Sequence, residues 1–168
     1  ESTVGQGSSF SFTLPINILN CQNLGPMIEE AVNQADPFVY FPDYEHIVFS
    51  FTGVCPWIGI GGVDTFNTDD GTIRVGVALI DDPPFMNLVT IGHEVGHALQ
   101  GLIGGPIGDL NGHANAWECG SRVAYGSCTL IEYGDPYDIM GSYNHFHFNS
   151  IEKEFLGWFN NNQVIEVT

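Results

Sequence analysis

Two histidines and a glutamate form the pattern with the clearest chemical meaning in this chain. They stand in the segment HEVGH, where His93 and His97 are four residues apart and Glu94 follows the first of them. Residues four apart share one face of a helix, so both imidazoles can bind one metal ion. Glu94 points beside that pair and can take a proton from water without being a ligand. The pattern indicates a zinc site that performs hydrolysis.

A catalytic zinc site needs a third protein ligand and one open position. The spacing of the residues alone leaves several candidates on the C-terminal side of HEVGH. They are Asp109, His113, Glu118 and the HxH pair His145 and His147. For that pair, surface residues or the rim of a pocket are the simpler interpretation.

Four segments occur in the order HEVGH, GHANAWECG, EYGDPYDIMGS and FNSIEKEFLGW. In this order they resemble the gametolysin family of metzincin zinc proteases, and the resemblance covers about residues 85–160. It implies that His93 and His97 are zinc ligands, that Glu94 is the catalytic base and that His113 is the third ligand.

The resemblance assigns roles to two further residues. Met140 matches the methionine of the Met-turn, which lies under the zinc as an apolar floor. Tyr143 is a candidate transition-state stabiliser, because many metzincins have a tyrosine two residues after that methionine, where this chain has Ser142. The third histidine of the family follows HEVGH more closely than His113 does, so we expect an insertion over residues 103–112.

The composition restricts the partners of the protein. The 168 residues suit one domain, and three Lys and Arg against twenty Asp and Glu give a formal charge of −17. Nucleic acids and anionic membranes are excluded as partners, because phosphate contacts need basic residues. No apolar run reaches the ~20 residues that span a membrane. We expect a monomer that acts on a polypeptide substrate.

Four cysteines without a CxxC spacing favour disulfides and an oxidising compartment. We predict the pair Cys119–Cys128, which brackets one short loop, and the pair Cys21–Cys55, which brackets a helix and a strand. The protein is therefore expected to be secreted.

The elements that would position these residues follow from the apolar periodicity. Strands are predicted at 9–19, 46–53, 57–63 and 72–80, and helices at 25–37, from about 85 or 87 to 102, and at 149–158; a loop-rich stretch runs from 103 to about 143. On the second helix the expected core face is Leu88, Ile91, Val95, Ala98, Leu99 and Leu102.

The order of these strands and helices predicts an α+β, metzincin-like domain over residues 1–168, with a mixed twisted sheet, a backing helix and an active-site helix. The expected subdomains are about 1–102 and 103–168, the smaller carrying the Met-turn and the final helix.

Two segments have weaker functional interpretations. The strand at 72–80 could pair with an extended substrate by β-augmentation. The acidic segment 64–71 is a candidate for a structural calcium ion, although it lacks the glutamate that ends an EF-hand loop, and a solvated turn is the simpler interpretation.

The sequence as a whole predicts a secreted zinc endopeptidase that cleaves extended polypeptides. Two alternatives stay open. One is a zinc-containing extracellular binding module without activity, which the presence of Glu94 disfavours. The other is a thermolysin-like zinc protease with Glu118 as third ligand, which the Met-turn segment disfavours.

Overall fold

The computed structural model describes residues 20–51, 55–81, 88–104, 112–119, 128–141, 147–160 and 163. Three α-helices and five strands are assigned within them. In chain order they are α1 (Gly25–Ala35), β1 (His46–Ser50), β2 (Gly59–Thr68), β3 (Gly71–Ile80), α2 (Leu88–Leu102), β4 (Ala116–Cys119), β5 (Cys128–Ile131) and α3 (Ser150–Phe155). The strand predicted over residues 9–19 lies outside the described residues. The mixed α+β class is the one expected from the sequence.

β3 is the centre of a three-stranded mixed sheet. β1 pairs with it in parallel on one side, and β2 pairs with it antiparallel on the other. The prediction that residues 72–80 offer a free edge to a substrate is therefore wrong, because both edges of that strand are already paired. Within the described sheet, β2 is an edge strand instead.

β2 and β3 form a hairpin around Asp69 and Asp70. Gly71 follows with a φ of 119°, a conformation that glycine adopts without steric cost. The acidic segment is thus a turn only at its end, since residues up to Thr68 belong to the strand.

α1 covers one face of this sheet and forms the larger core. Proline at the start of the helix suits a position whose N–H has no intrahelical partner. The buried side chains of α1 pack on alternate residues of β3, as the two-residue period of a strand requires. This core contains Met27, Ile28, Val32, Ala35, Phe41, Phe66, Ile73, Val75, Val77 and Leu79.

α2 packs against β2 and β3 through small residues. A side chain at Gly76 of β3 would meet Ala98, and one at Gly101 of α2 would meet Val63 of β2. Of the six residues expected on the core face of α2, only Ala98 is buried, and Leu88 is 71% exposed. The expectation was wrong because it followed the large apolar residues, whereas the helix approaches the sheet through glycine and alanine.

The segment after α2 forms a smaller second layer. β4 and β5 pair antiparallel in a region that the sequence predicted as loop, because four-residue strands carry too little periodicity to detect. α3 is capped by the Asn149 side chain, which accepts a hydrogen bond from the backbone N–H of Glu152. A second apolar cluster joins this layer to α2 through Ala114, Ile139, Met140 and Phe148.

The structure pairs Cys21 with Cys55 and Cys119 with Cys128, the pairs predicted from the sequence. Two disulfides fit an oxidising environment of the extracellular type. In the described part of the chain, no helix combines the length and the apolar character needed to cross a membrane.

Candidate metal centre

His93 and His97 project from one face of α2, as their spacing predicts. Their ring centroids are 4.9 Å apart and the rings are nearly perpendicular. The third histidine ring of this group belongs to His113, whose centroid lies 5.7 Å from that of His93 and 5.1 Å from that of His97. One nitrogen from each of the three rings lies within 4.8 Å of the others. The group can therefore hold a metal ion, and no other group of three His, Cys, Asp or Glu side chains does so among the described residues.

His113 is brought to α2 by the residue before it. Gly112 has a φ of 77°, and its carbonyl oxygen accepts a hydrogen bond of 3.2 Å from the buried Gln100 side chain of α2. A Cβ at Gly112 would collide with that amide group. Glycine is thus required both by the backbone conformation and by the close approach to the helix.

The imidazoles of His93 and His113 are oriented by hydrogen bonds at their other nitrogen. Nδ1 of His93 donates to the carbonyl oxygen of Ile139 at 2.7 Å, and Nδ1 of His113 donates to a carboxylate oxygen of Glu132 at 2.8 Å. Such partners fix the tautomer, so Nε2 of each ring carries the lone pair that binds a metal. Burial lowers the pKa of His93, which the Ile139 carbonyl partly offsets, and the neutral ligand form is favoured.

Glu94 packs against β2 at two glycines, whose lack of a side chain leaves room for it. A Cβ at Gly59 would lie 2.5 Å from a carboxylate oxygen of Glu94, and a Cβ at Gly61 would collide with the Glu94 backbone carbonyl. The edge strand can therefore lie directly on α2 at this residue. Burial raises the pKa of the Glu94 carboxyl from its ordinary value of 4.5 to about 7, because a charged carboxylate is poorly solvated there.

Met140 is fully buried and packs against α2. Its sulfur occupies the space that a side chain at Gly96 would fill. The Met140 N–H donates to a carboxylate oxygen of the buried Asp138 at 2.7 Å, and the N–H of Asn149 donates to the other oxygen. This turn also presents the Ile139 carbonyl to His93, so it sets both the apolar packing and the orientation of one imidazole.

A cleft of about 510 Å³ opens at the three histidines. Glu94 and Thr90 of α2 line it, together with Tyr133. Its other wall is the start of β2 and the residues before it, from Trp57 to Gly61. The arrangement brings a candidate metal site, a buried carboxyl group and an edge strand to one open cavity.

Of the other candidate ligands, the two that the structure describes do not join this cluster. Glu118 lies exposed on β4, and His147 is exposed before α3. Asp109, Tyr143 and His145 lie outside the described residues. The acidic segment 64–71 is described, and it contains no group of three side chains that could hold an ion.

Sequence reasoning missed three residues at the site, Glu132, Tyr133 and Ile139. Glu132 and Tyr133 open the segment EYGDPYDIMGS, which was singled out for its methionine. A carboxylate shortly before that segment's glycine was a detectable signal for a partner of a histidine. The contact of Ile139 is made by its carbonyl oxygen, which every residue has, so no residue type could have indicated it.

Comparisons of the chain with family models, with curated proteins and with solved structures find no match.

Proposed function

We propose that this protein is a zinc-dependent endopeptidase that hydrolyses peptide bonds in extended polypeptides. The observation that carries the proposal is the joint position of His93, His97 and His113 in one cleft with the buried carboxyl of Glu94. Three protein ligands with space beside them are typical of catalytic zinc sites, whereas structural sites use four.

The donor set of the cluster fits zinc. Neutral imidazoles suit zinc, although they also suit copper, iron and nickel, so the identity of the ion is part of the proposal. The hydrogen bonds from His93 to Ile139 and from His113 to Glu132 leave one nitrogen of each ring for the ion. A bound zinc ion supplies Lewis-acid polarisation of a carbonyl oxygen and makes nearby water more acidic.

Glu94 performs the proton transfers in this proposal. Its carboxylate takes a proton from the attacking water as the water oxygen bonds to the carbonyl carbon. It then gives that proton to the peptide nitrogen as the carbon–nitrogen bond breaks. A carboxyl group suits both steps, because it accepts a proton as the carboxylate and donates it again as the acid.

The edge strand β2 supports a polypeptide as substrate. The residues that begin this strand line the cleft next to Glu94, and the described sheet leaves one side of the strand unpaired. An extended peptide can add to such an edge through backbone hydrogen bonds. The substrate would then pair with β2, and not with residues 72–80 as the sequence suggested.

The resemblance to metzincin proteases remains part of the proposal. Met140 beneath α2 at Gly96 supports a Met-turn, and the two disulfides support secretion. We keep the monomeric state and the two subdomains as predictions. Glu118 lies outside the histidine cluster, which disfavours a thermolysin-like ligand set.

The replacement Glu94→Gln tests the proposal. It keeps the shape of the side chain but removes the base, so zinc content should be unchanged while peptide hydrolysis falls by at least about 10²-fold. The measurement is digestion of a peptide library by zinc-loaded and chelator-treated protein, with Glu118→Gln as the control carboxylate.

The outcomes separate the alternatives. Near-normal hydrolysis by Glu94→Gln would remove this residue from the mechanism. A wild-type chain that binds zinc stoichiometrically and cleaves no member of the library would instead identify a metal-containing binding module.

A further inference from the structure

Tyr133 lies against the histidine cluster, although no sequence pattern assigned it a role. Its ring centroid is 3.9 Å from that of His113 and 5.7 Å from that of His93. The ring also lines the cleft that contains Glu94. A tyrosine in this position adds a phenol group beside the three imidazoles of the cleft.

The backbone at Tyr133 adopts a conformation that most residues avoid. Its φ is 58°, in the left-handed region, and it is the sole non-glycine residue with a positive φ in the described part of the chain. Such a conformation is strained and persists only where the surroundings hold it. Here the Tyr133 N–H donates to the Asn115 side chain at 3.1 Å.

This conformation has a consequence for the site. In an extended strand, neighbouring side chains point to opposite faces. Directly after β5, however, the Glu132 carboxylate accepts a hydrogen bond from His113 while the next residue, Tyr133, packs on the same ring. The left-handed turn lets two consecutive side chains reach one histidine. The ring therefore packs on His113 and also lines the cleft, so Tyr133 belongs to the wall that a bound substrate would meet.

We propose that Tyr133 is a catalytic residue whose hydroxyl donates a hydrogen bond to the carbonyl oxygen of the peptide bond being cleaved. This inference rests on the proposed peptidase function. The carbonyl oxygen gains negative charge as water attacks, and a fixed donor lowers the barrier because the bond strengthens at that moment. Tyr133 takes the role for which the sequence suggested Tyr143.

Two replacements separate the hydroxyl from the ring. Tyr133→Phe keeps the ring on His113 and removes the donor, and Tyr133→Leu removes both. Tyr137→Phe is the matched control, because Tyr137 is 75% exposed and does not line the cleft. Each zinc-loaded variant is measured for zinc content, for kcat and KM on one peptide, and for affinity towards a phosphinic peptide, whose tetrahedral group imitates the reacting carbonyl.

For Tyr133→Phe we expect full zinc, an unchanged KM and a kcat lower by about 10²-fold, the usual effect of losing one such donor. Its affinity for the phosphinic peptide should fall as well, whereas Tyr137→Phe should match the wild type. Tyr133→Leu should in addition bind zinc more weakly, because His113 loses its neighbour.

Two results would overturn the inference while leaving the peptidase function intact. One is a Tyr133→Phe variant with wild-type kcat and wild-type affinity for the phosphinic peptide. The other is loss of zinc from Tyr133→Phe, because the hydroxyl would then support the metal site. A zinc-loaded wild type that neither cleaves peptides nor binds the phosphinic peptide would overturn the proposed function, and this inference with it.

Discussion

The two sides of the metal cleft are built in different ways. On the sheet side, comprising α2 and β2, the backbones of regular elements lie in close contact at glycines such as Gly59 and Gly61. On the turn side, comprising residues 112–115 and 132–141, single polar contacts hold the chain, among them those of Asp138 and Asn115. Both sides should be sensitive to added volume, because Gly112 and Gly141 of the turn side are as closely surrounded as the glycines of β2. The turn side should in addition be sensitive to the loss of individual hydrogen-bonding groups.

The largest expected effect comes from removing the ligand on the turn side. His113→Ala leaves His93 and His97, and two imidazoles are too few for a stable zinc site. We expect zinc to be lost or weakly held, with peptide hydrolysis lost in parallel. The metal content of the purified variants decides this.

His147→Ala and Glu118→Gln are the controls for His113→Ala. Both residues are exposed and lie outside the cluster, so both variants should keep stoichiometric zinc. Full zinc in His113→Ala together with loss in Glu118→Gln would contradict the described cluster and support a thermolysin-like ligand set.

An intermediate effect is expected from adding one methyl group on the sheet side. In Gly61→Ala the new Cβ would collide with the Glu94 carbonyl, so β2 and α2 must separate. Overpacking of this kind costs about 1–3 kcal/mol. The shift also moves Glu94, so we expect reduced hydrolysis at unchanged zinc content. Denaturant unfolding gives the free energy, and peptide cleavage gives the activity.

Gly62→Ala is the matched control for Gly61→Ala. The residue is next in the same strand, and a Cβ there meets nothing within 4 Å. It should leave both stability and activity near the wild type. Equal destabilisation by the two replacements would show that the strand tolerates no side chain at all, and that contact with α2 is not the cause.

The difference between the sheet side and the turn side also explains how much of each could be predicted from the sequence. The sheet side was largely predictable, because helix and strand periods place His93, His97 and the strands of the hairpin from spacing alone. The close approach at Gly61 was not, since a glycine is equally compatible with a turn, a bulge or a contact.

The turn side was predictable only where a motif marked it. His113 and Met140 were predicted by resemblance. The Ile139 carbonyl, the Glu132 carboxylate and the left-handed conformation of Tyr133 were not selected. The contacts of Ile139 and Glu132 join residues 46 and 19 positions apart, a distance at which local periodicity carries no information.

The smallest expected effect on the candidate metal site comes from a buried carboxyl group beneath the turn side. Glu152 of α3 is 2% exposed, and burial together with the neighbouring Asp138 raises its pKa from 4.5 to about 8. Its neutral acid form can donate a hydrogen bond to Asp138, which in turn holds Met140. In the unfolded chain the same group ionises near its ordinary value, so between about pH 4.5 and 8 the folded state binds more protons. The stability contributed by this pair is present at low pH and declines as the pH rises.

Glu152→Gln should reduce that decline, because the amide is neutral at every pH and can still donate to Asp138. Each proton bound only by the folded state changes the unfolding free energy by at most about 1.4 kcal/mol per pH unit. Denaturant unfolding at several pH values, with the exposed Glu154→Gln on the same helix as control, measures the difference. As the pH rises from 4.5 to 8, we expect the unfolding free energy of Glu152→Gln to increase relative to that of the wild type. The curve for Glu154→Gln should run parallel to that of the wild type. Parallel curves for all three proteins would show that the turn side is not held by a protonated Glu152, and that the hydrogen bonds of Asp138 alone keep Met140 and the Ile139 carbonyl in position.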